Sequence, residues 1–362
     1  LLAGCSRGAS PTAAPATTAA RAPAPATAAG GTGGATTSTP PGTGPRRPTG
    51  NPVTLAFGGD VHFEGAIGAR LARDPATALG PIAAVLRRAD LAMVNLETAV
   101  TTGGTPAAKD FTFRAPPSAF AALRAAGVDV ATMANNHGED YGQVGLRDSL
   151  AAAAAARFPV VGIGEDAAHA FRARLFTVKG QRVAVIGATQ VLDASLAAAW
   201  SAGDGKPGLA SAYQVDRLLA AVRASRRAAD TVVVFLHWGK ELASCPLERQ
   251  RALAPRLVAA GADVVVGSHA HVLLGAGFLD GAYVGYGLGN FVFYSSGGVT
   301  ARSGVLTLTV RGRAVTGAGW TPAVISGGVP LPLSGGAAER AVAAWRALRG
   351  CTGLAAQASG TG

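Results

Sequence analysis

From about residue 51 the chain reads as an α/β protein, a sheet with helices packed on its faces. Two patterns predict this. Short β-branched runs alternate with Ala-, Leu- and Arg-rich segments of helical spacing, the rhythm of strand–helix–strand units. Many of those runs end in Gly, Asn, Asp or His, which puts polar groups at one end of the sheet. A third feature bounds the fold: residues 6–50 contain no Val, Ile, Leu, aromatic or acidic residue. Such a segment cannot bury enough apolar surface to offset its ordering entropy, so it is expected to be a disordered linker, and its prolines favour extended stretches.

Ahead of the linker stands Leu1-Leu2-Ala3-Gly4-Cys5. This stretch resembles the tail of a bacterial lipobox, in which the Cys is acylated. The resemblance implies lipid at Cys5, then a flexible tether, then a folded body, hence an extracytoplasmic lipoprotein on a bacterial membrane.

In the folded part, strands are expected at 53–57, 91–95, 128–133, 159–163, 183–187, 231–236, 264–266 and 283–286. Helices are expected at 77–89, 118–126, 143–156, 213–229 and 247–260. Gly127 and Gly261 stand just past two of the helices, where a left-handed residue commonly closes the last turn. Pro255 is expected to kink the last one. From residue 304 the character changes: 305–310 and 315–320 alternate like antiparallel strands, 337–349 has helical spacing, and 351–362 reads as a flexible tail. The folded region is thus 51–350, long enough for one large domain or two smaller ones. No run of 18 apolar residues free of charge occurs in 51–362, so no transmembrane helix is expected there.

The formal net charge is +11, of which Arg7, Arg21, Arg46 and Arg47 of the linker supply four. No basic stripe interleaved with aromatics is present, which argues against a nucleic-acid partner. The remaining excess suits either a merely solvated basic surface or attraction to anionic envelope polymers and lipid headgroups. Cys245 and Cys351 can pair outside the cytoplasm or stand as two isolated thiols.

Five of the six histidines follow expected strands, and only His169 lies outside the pattern. The segments are Gly58-Gly59-Asp60-Val61-His62, Asn135-Asn136-His137, His237-Trp238-Gly239 and Gly267-Ser268-His269-Ala270-His271, with Leu96-Glu97 after the second strand. In open α/β sheets the carboxyl ends of the strands converge on one crevice, so these groups are expected to meet. Asp60/His62 and His269/His271 are pairs two apart, which point the same way in extended chain. Imidazole with carboxylate suits zinc, iron, manganese or nickel.

These segments, together with Asn95-Leu96-Glu97, Asp140-Tyr141-Gly142 and Leu288-Gly289-Asn290-Phe291, occur in an order that resembles the CapA family of capsule and poly-gamma-glutamate synthesis proteins. The family is in turn similar to calcineurin-like metallophosphoesterases. The resemblance covers roughly 53–295 and implies a four-layer αββα sandwich of metallophosphatase type. It implies two divalent transition metal ions, manganese, iron or zinc. Asp60, His62 and His271 would hold one and Asn136, His237 and His269 the other, with His137 as the catalytic, protonating or charge-stabilising residue. Where such phosphoesterases place a bridging Asp, this chain reads Asn95-Leu96-Glu97, so either Glu97 bridges or Asn95 takes the place as a neutral ligand. Asn95, Arg114 and Asn290 are the candidate substrate contacts.

Two functions follow. One is a metal-dependent hydrolase or transferase acting on a phosphoester, or on an amide or ester of an anionic surface polymer or its precursor. The other is a non-catalytic, lipid-anchored accessory that binds or guides such a polymer for membrane synthase subunits. A purely structural domain would require the strand-end histidines to be coincidental.

Overall fold

In a computed structural model, which describes residues 49–294 and 297–358, the β-branched runs form two large mixed sheets. Cys5 and the expected linker as far as residue 48 lie outside the described residues. An eight-stranded sheet runs in the order Val329–Pro332, Ala314–Ser326, Arg302–Arg311, Val53–Val61, Leu91–Leu96, Val130–Thr132 and Val160–Val161. Asn290–Val292 joins the end of Val53–Val61 in parallel. A six-stranded sheet runs Ala276–Leu279, Ala282–Gly285, Val264–Ser268, Thr231–His237, Gln181–Thr189 and Arg174–Val178. In the first sheet Val53–Val61 to Val160–Val161 run parallel and Val53–Val61 to Val329–Pro332 antiparallel, whereas in the second the central strands are parallel and both margins antiparallel.

Alternation along each strand assigns its side chains to two faces. Leu55, Phe57 and Met93 of the first sheet share one buried cluster with Val185, Val233 and Phe235 of the second, so the sheets pack face to face. Ala56, Ala92 and Val94 face the other way, onto Phe120 and Leu123 of the helix Ser118–Ala125 and Leu146 of Gly142–Ala155. Ile186, Val232 and Val234 meet Leu218 and Val222 of the helix Val215–Ala228 and Leu253 and Leu257 of Glu248–Ala260. Three apolar layers thus separate helix, sheet, sheet and helix, the expected αββα sandwich.

Several expectations are corrected. The helix expected at 77–89 is broken into Pro75–Thr77, Gly80–Ile82 and Ala83–Leu86, because Gly80 takes a φ of +69° and Pro81 follows it. Pro255 sits inside a single helix, Glu248–Ala260, which ends at left-handed Gly261 as expected. The tail expected to be flexible from 351 is held as far as it is described. Cys351 is bonded to Cys245, and Ala355 exchanges backbone hydrogen bonds with Phe278. None of the helices formed by the described residues is long and apolar enough to cross a membrane.

Candidate metal centre

The parallel strands Val53–Val61, Leu91–Leu96, Thr231–His237 and Val264–Ser268 deliver Asp60, Asn95, His237 and Ser268 at their carboxyl ends. The loops that follow add Glu97 and His269 to His271, and the strand Val130–Thr132 leads into the Asn135–Asp140 turn. Close backbone approach makes this possible. A Cβ on Gly59 would strike the carbonyl of Gly289, and one on Gly267 would strike the indole of Trp238.

Among the described residues, three sets of ligand atoms have members within 4.8 Å of one another: Glu97, His237 and His269; Asp60, Glu97 and His271; and Glu241, His269 and His271. Glu97 belongs to two of these. It is fully buried, and neither carboxylate oxygen has a hydrogen-bond partner among the described residues. Its Oε1 lies 3.5 Å from His237 Nε2 and 4.0 Å from His137 Nε2. Burial pushes its carboxyl well above the usual range, helped by the neighbouring Asp60 charge. A buried carboxylate without donors is expensive unless a cation meets it, so the donor set fits divalent metal.

Asn95 has a different role from Glu97. Its Nδ2 donates to Asp60 Oδ1 at 2.8 Å and lies 3.1 Å from His237 Nδ1, while its Oδ1 accepts from Asn135 Nδ2 at 3.0 Å. Its Nδ2 therefore orients two candidate ligands, and its Oδ1 is taken up by Asn135. Asn136 Oδ1 lies 2.7 Å from His237 Nε2, close to the first ligand set. Asp60 is held by Asn95 and by the backbone N–H of His269, 3.1 Å from its Oδ2.

His269 and His271 meet the cluster by a route other than extended alternation. Both take positive φ, +93° and +55°, which is uncommon for residues with a side chain and recurs at functional sites. His269 Nδ1 is buried and has no hydrogen-bond partner among the described residues. His271 Nδ1 lies 2.8 Å from Asn290 Oδ1 and 3.5 Å from Asp60 Oδ2. Asn290, a candidate substrate contact, thus meets His271 and, through Nδ2, the carbonyl of Thr300.

His62 stands beside the ligand sets and in none of them. Its Nδ1 lies 3.0 Å from Glu64 N and its Nε2 3.2 Å from Tyr294 N, of which a neutral ring accepts from one, with Phe113 and Phe293 packed on the ring. The pairing of its strand shifts register between Asp60 and Val61, and such an irregularity re-aims the residues after it. Arg114 is exposed, its guanidinium 4.8 Å from the Tyr141 ring and outside the ligand sets. His169 is remote in role, paired with Asp166 at 2.7 Å.

His137 is fixed from three sides. Its Nδ1 lies 2.6 Å from Asp140 Oδ2, and Phe113 stacks on its ring at 3.9 Å. Its backbone N donates to Asn135 Oδ1 at 3.0 Å. Asp140 also accepts from Lys109 Nζ at 3.0 Å and from Phe113 N at 2.6 Å, so it is an acceptor throughout and the His137 Nδ1 donates to it. Nε2 is left facing Glu97. Burial lowers the His137 imidazole from its ordinary value against the pull of Asp140.

Electrostatically the cluster is divided. Burial pushes His62 and His269 down to about 3, and His237 well below its ordinary value, so these rings are neutral and keep a lone pair. Burial also works against charge on His271, but Glu97 and Asp60 prevail and lift it to about 9. Glu241, Lys109 and the orienting role of Asp140 are not among the sequence-level assignments. Asp140 stands three residues past His137, a spacing that a tight turn brings together. Glu241 lies four past His237, in the same loop. Lys109 gives no local signal.

Residues 54–295 match the family described as bacterial capsule synthesis protein PGA_cap. The capsule biosynthesis protein CapA of Bacillus anthracis is 36% identical over 217 residues, 59% of this chain and 52% of its own length. A probable polyglutamine synthesis accessory protein of Mycobacterium tuberculosis is 33% identical over 210 residues, 56% of this chain and 55% of its own. The chain therefore spans about half the length of the curated relatives it matches. Among solved structures, a phosphatase of Mycoplasma pneumoniae aligns over 76% of this chain and 95% of its own at 14% identity, with a TM-score of 0.48. On the match across 54–295, the chain belongs to the bacterial capsule synthesis protein PGA_cap family.

Proposed function

We propose that the chain carries a dinuclear metal centre in which Glu97 is shared between two divalent ions, manganese, iron or zinc. In this reading it acts on an anionic surface polymer of poly-gamma-glutamate type, or on its precursor, by hydrolysis or transfer at a phosphoester, amide or ester. The observation that carries the reading is Glu97 itself, buried, without donors and common to two ligand sets. Two such ions, when bound, supply an activated water and hold the attacked oxygen.

The chain's own residues do the positioning. Asn95 and the His269 N–H hold Asp60, and Asn290 holds His271. His137, with Nδ1 tied to Asp140, presents Nε2 as the atom that gives or takes a proton beside the cluster. Lys109 secures the turn that carries both Asn136 and Asp140. Arg114, exposed and with its guanidinium over the Tyr141 ring, is a contact for the substrate's negative charge. Lipid at Cys5 would tether the protein outside the cytoplasm, near polymer synthase subunits. The Cys245–Cys351 bond supports an oxidising compartment.

A second reading is a non-catalytic accessory that binds or guides the polymer. It is favoured by Asn95 in place of an acid after the second strand, and by the name of the mycobacterial relative, a probable polyglutamine synthesis accessory protein.

The two are separated by a turnover screen on the metal-loaded protein with phosphodiester and gamma-glutamyl substrates. The enzyme reading expects metal-dependent turnover, reduced about 10²–10⁴-fold in His137→Ala at unchanged metal content. No turnover in any class, with polymer binding that survives removal of metal, would replace it by the accessory reading.

A further inference from the structure

A second concave site lies outside the metal cluster. Its volume is about 510 Å³, within the range of small-molecule pockets. The helix Gly335–Ala347 forms one wall through Ala341, Ala344 and Trp345, and the strand Ala314–Ser326 forms another through Trp320 and Val324. Trp320 and Trp345 stack at 4.9 Å and give the cavity a flat aromatic side. Leu242 and Val299, 64% and 52% exposed, also line it. Large apolar side chains left this open are informative when they border a concave apolar surface.

The charged groups in the lining are of one sign. Arg302 and Arg340 both line the cavity, and no Asp or Glu does. Neither guanidinium has an ion pair or a side-chain hydrogen bond among the described residues. Two guanidinium forks beside an apolar, aromatic-walled chamber match an anion joined to an aliphatic chain. The chamber also adjoins the metal cluster along the chain: Leu242 follows Glu241, Val272 follows His271, and Leu242 N donates to the carbonyl of Ala270. The Cys245–Cys351 bond ties the loop bearing Leu242 and Ser244 to the chain just past the helix wall.

We propose that this cavity binds a single-chain amphiphile with a phosphate head, its aliphatic chain between the helix Gly335–Ala347 and Trp320 and its phosphate at Arg302 and Arg340. The proposal stands on the cavity and its two arginines and does not depend on the metal centre.

Dodecyl phosphate is the probe, titrated below its micelle concentration into the full chain by calorimetry. Dodecanol and inorganic phosphate are the controls. Saturable binding at one site is expected, falling about fourfold for each methylene removed from the chain. The double variant Arg302→Ala, Arg340→Ala should weaken dodecyl phosphate at least tenfold while leaving dodecanol unchanged. Ala344→Phe should weaken both, and Ala341→Leu serves the same purpose if that variant does not fold. Asp60→Ala should leave binding unchanged, so that failure here is distinct from failure of the metal centre. Absence of saturable binding overturns the proposal. So does equal affinity in a folded cavity-filling variant, or binding of inorganic phosphate as tight as that of dodecyl phosphate.

Discussion

Asn95 Nδ2 donates to Asp60 Oδ1 at 2.8 Å, across two adjacent parallel strands whose register pairs the same two residues. The amide thus stands where an acid would repel Asp60, and it fixes one carboxylate oxygen of a candidate ligand. Glu97, two residues on, is left with free oxygens. Orienting partners of this kind are worth about 10- to 100-fold in metal affinity. Asn95→Ala is accordingly expected to weaken metal binding by that factor, measured by competition with a chelating dye, while the protein stays folded. Unchanged affinity would remove Asn95 from the support of the site.

The Asp140–His137 pair makes a separate prediction. With Asp140 accepting from Nδ1, His137 should be a single tautomer with its Nε2 lone pair toward Glu97. Asp140→Asn should mix the tautomers, read from the ¹⁵N shifts of the ring. In a turnover assay it should cost less than His137→Ala, and the double variant no more than His137→Ala alone, since the two act as a unit. Additive losses would show that Asp140 serves something other than His137.

The titration of the metal-free protein should be two-sided. His62 and His269, held at about 3 by burial, and His237, held well below its ordinary value, take up protons less readily folded than unfolded. Their contribution is present above the unfolded value of about 6.5 and is lost as pH falls, at roughly 1.4 kcal/mol per unit for each. His271 has the opposite sign. Lifted to about 9, it contributes fully below about 6.5 and loses that contribution as pH rises through about 9. Glu97, also raised, loses its contribution in the same direction. Urea midpoints of chelator-treated protein should therefore be highest near pH 6.5 and lower at pH 5 and pH 8.5. A steady rise from pH 5 to 8.5 would contradict the assignment to His271 and Glu97.

Much of this was readable from residue order. β-branched runs mark the central strands to within a few residues, because a buried parallel strand needs them on both faces. The helices from Ser118, Gly142, Val215 and Glu248 begin within two residues of where helical spacing begins. The convergence of Asp60, Glu97, His237, His269 and His271 follows from where they stand after their strands. What did not show has physical causes. The register shift between Asp60 and Val61 decides where His62 turns, and nothing in Asp-Val-His announces it. Asn290 is absorbed by His271 through a contact across 19 residues, and Lys109 by Asp140 across 31. The edge strand Val329–Pro332 carries two prolines and lacks the alternation that identifies a strand.

The central claim is that Glu97 is shared by two metal ions. Elemental analysis of the purified chain, after reconstitution with manganese, iron or zinc, tests it beside Glu97→Gln and His269→Ala. About two equivalents of transition metal are expected in the parent protein, falling to one or fewer in Glu97→Gln at an unchanged fold. The same two equivalents in folded Glu97→Gln, or no bound metal in the reconstituted parent, would contradict it.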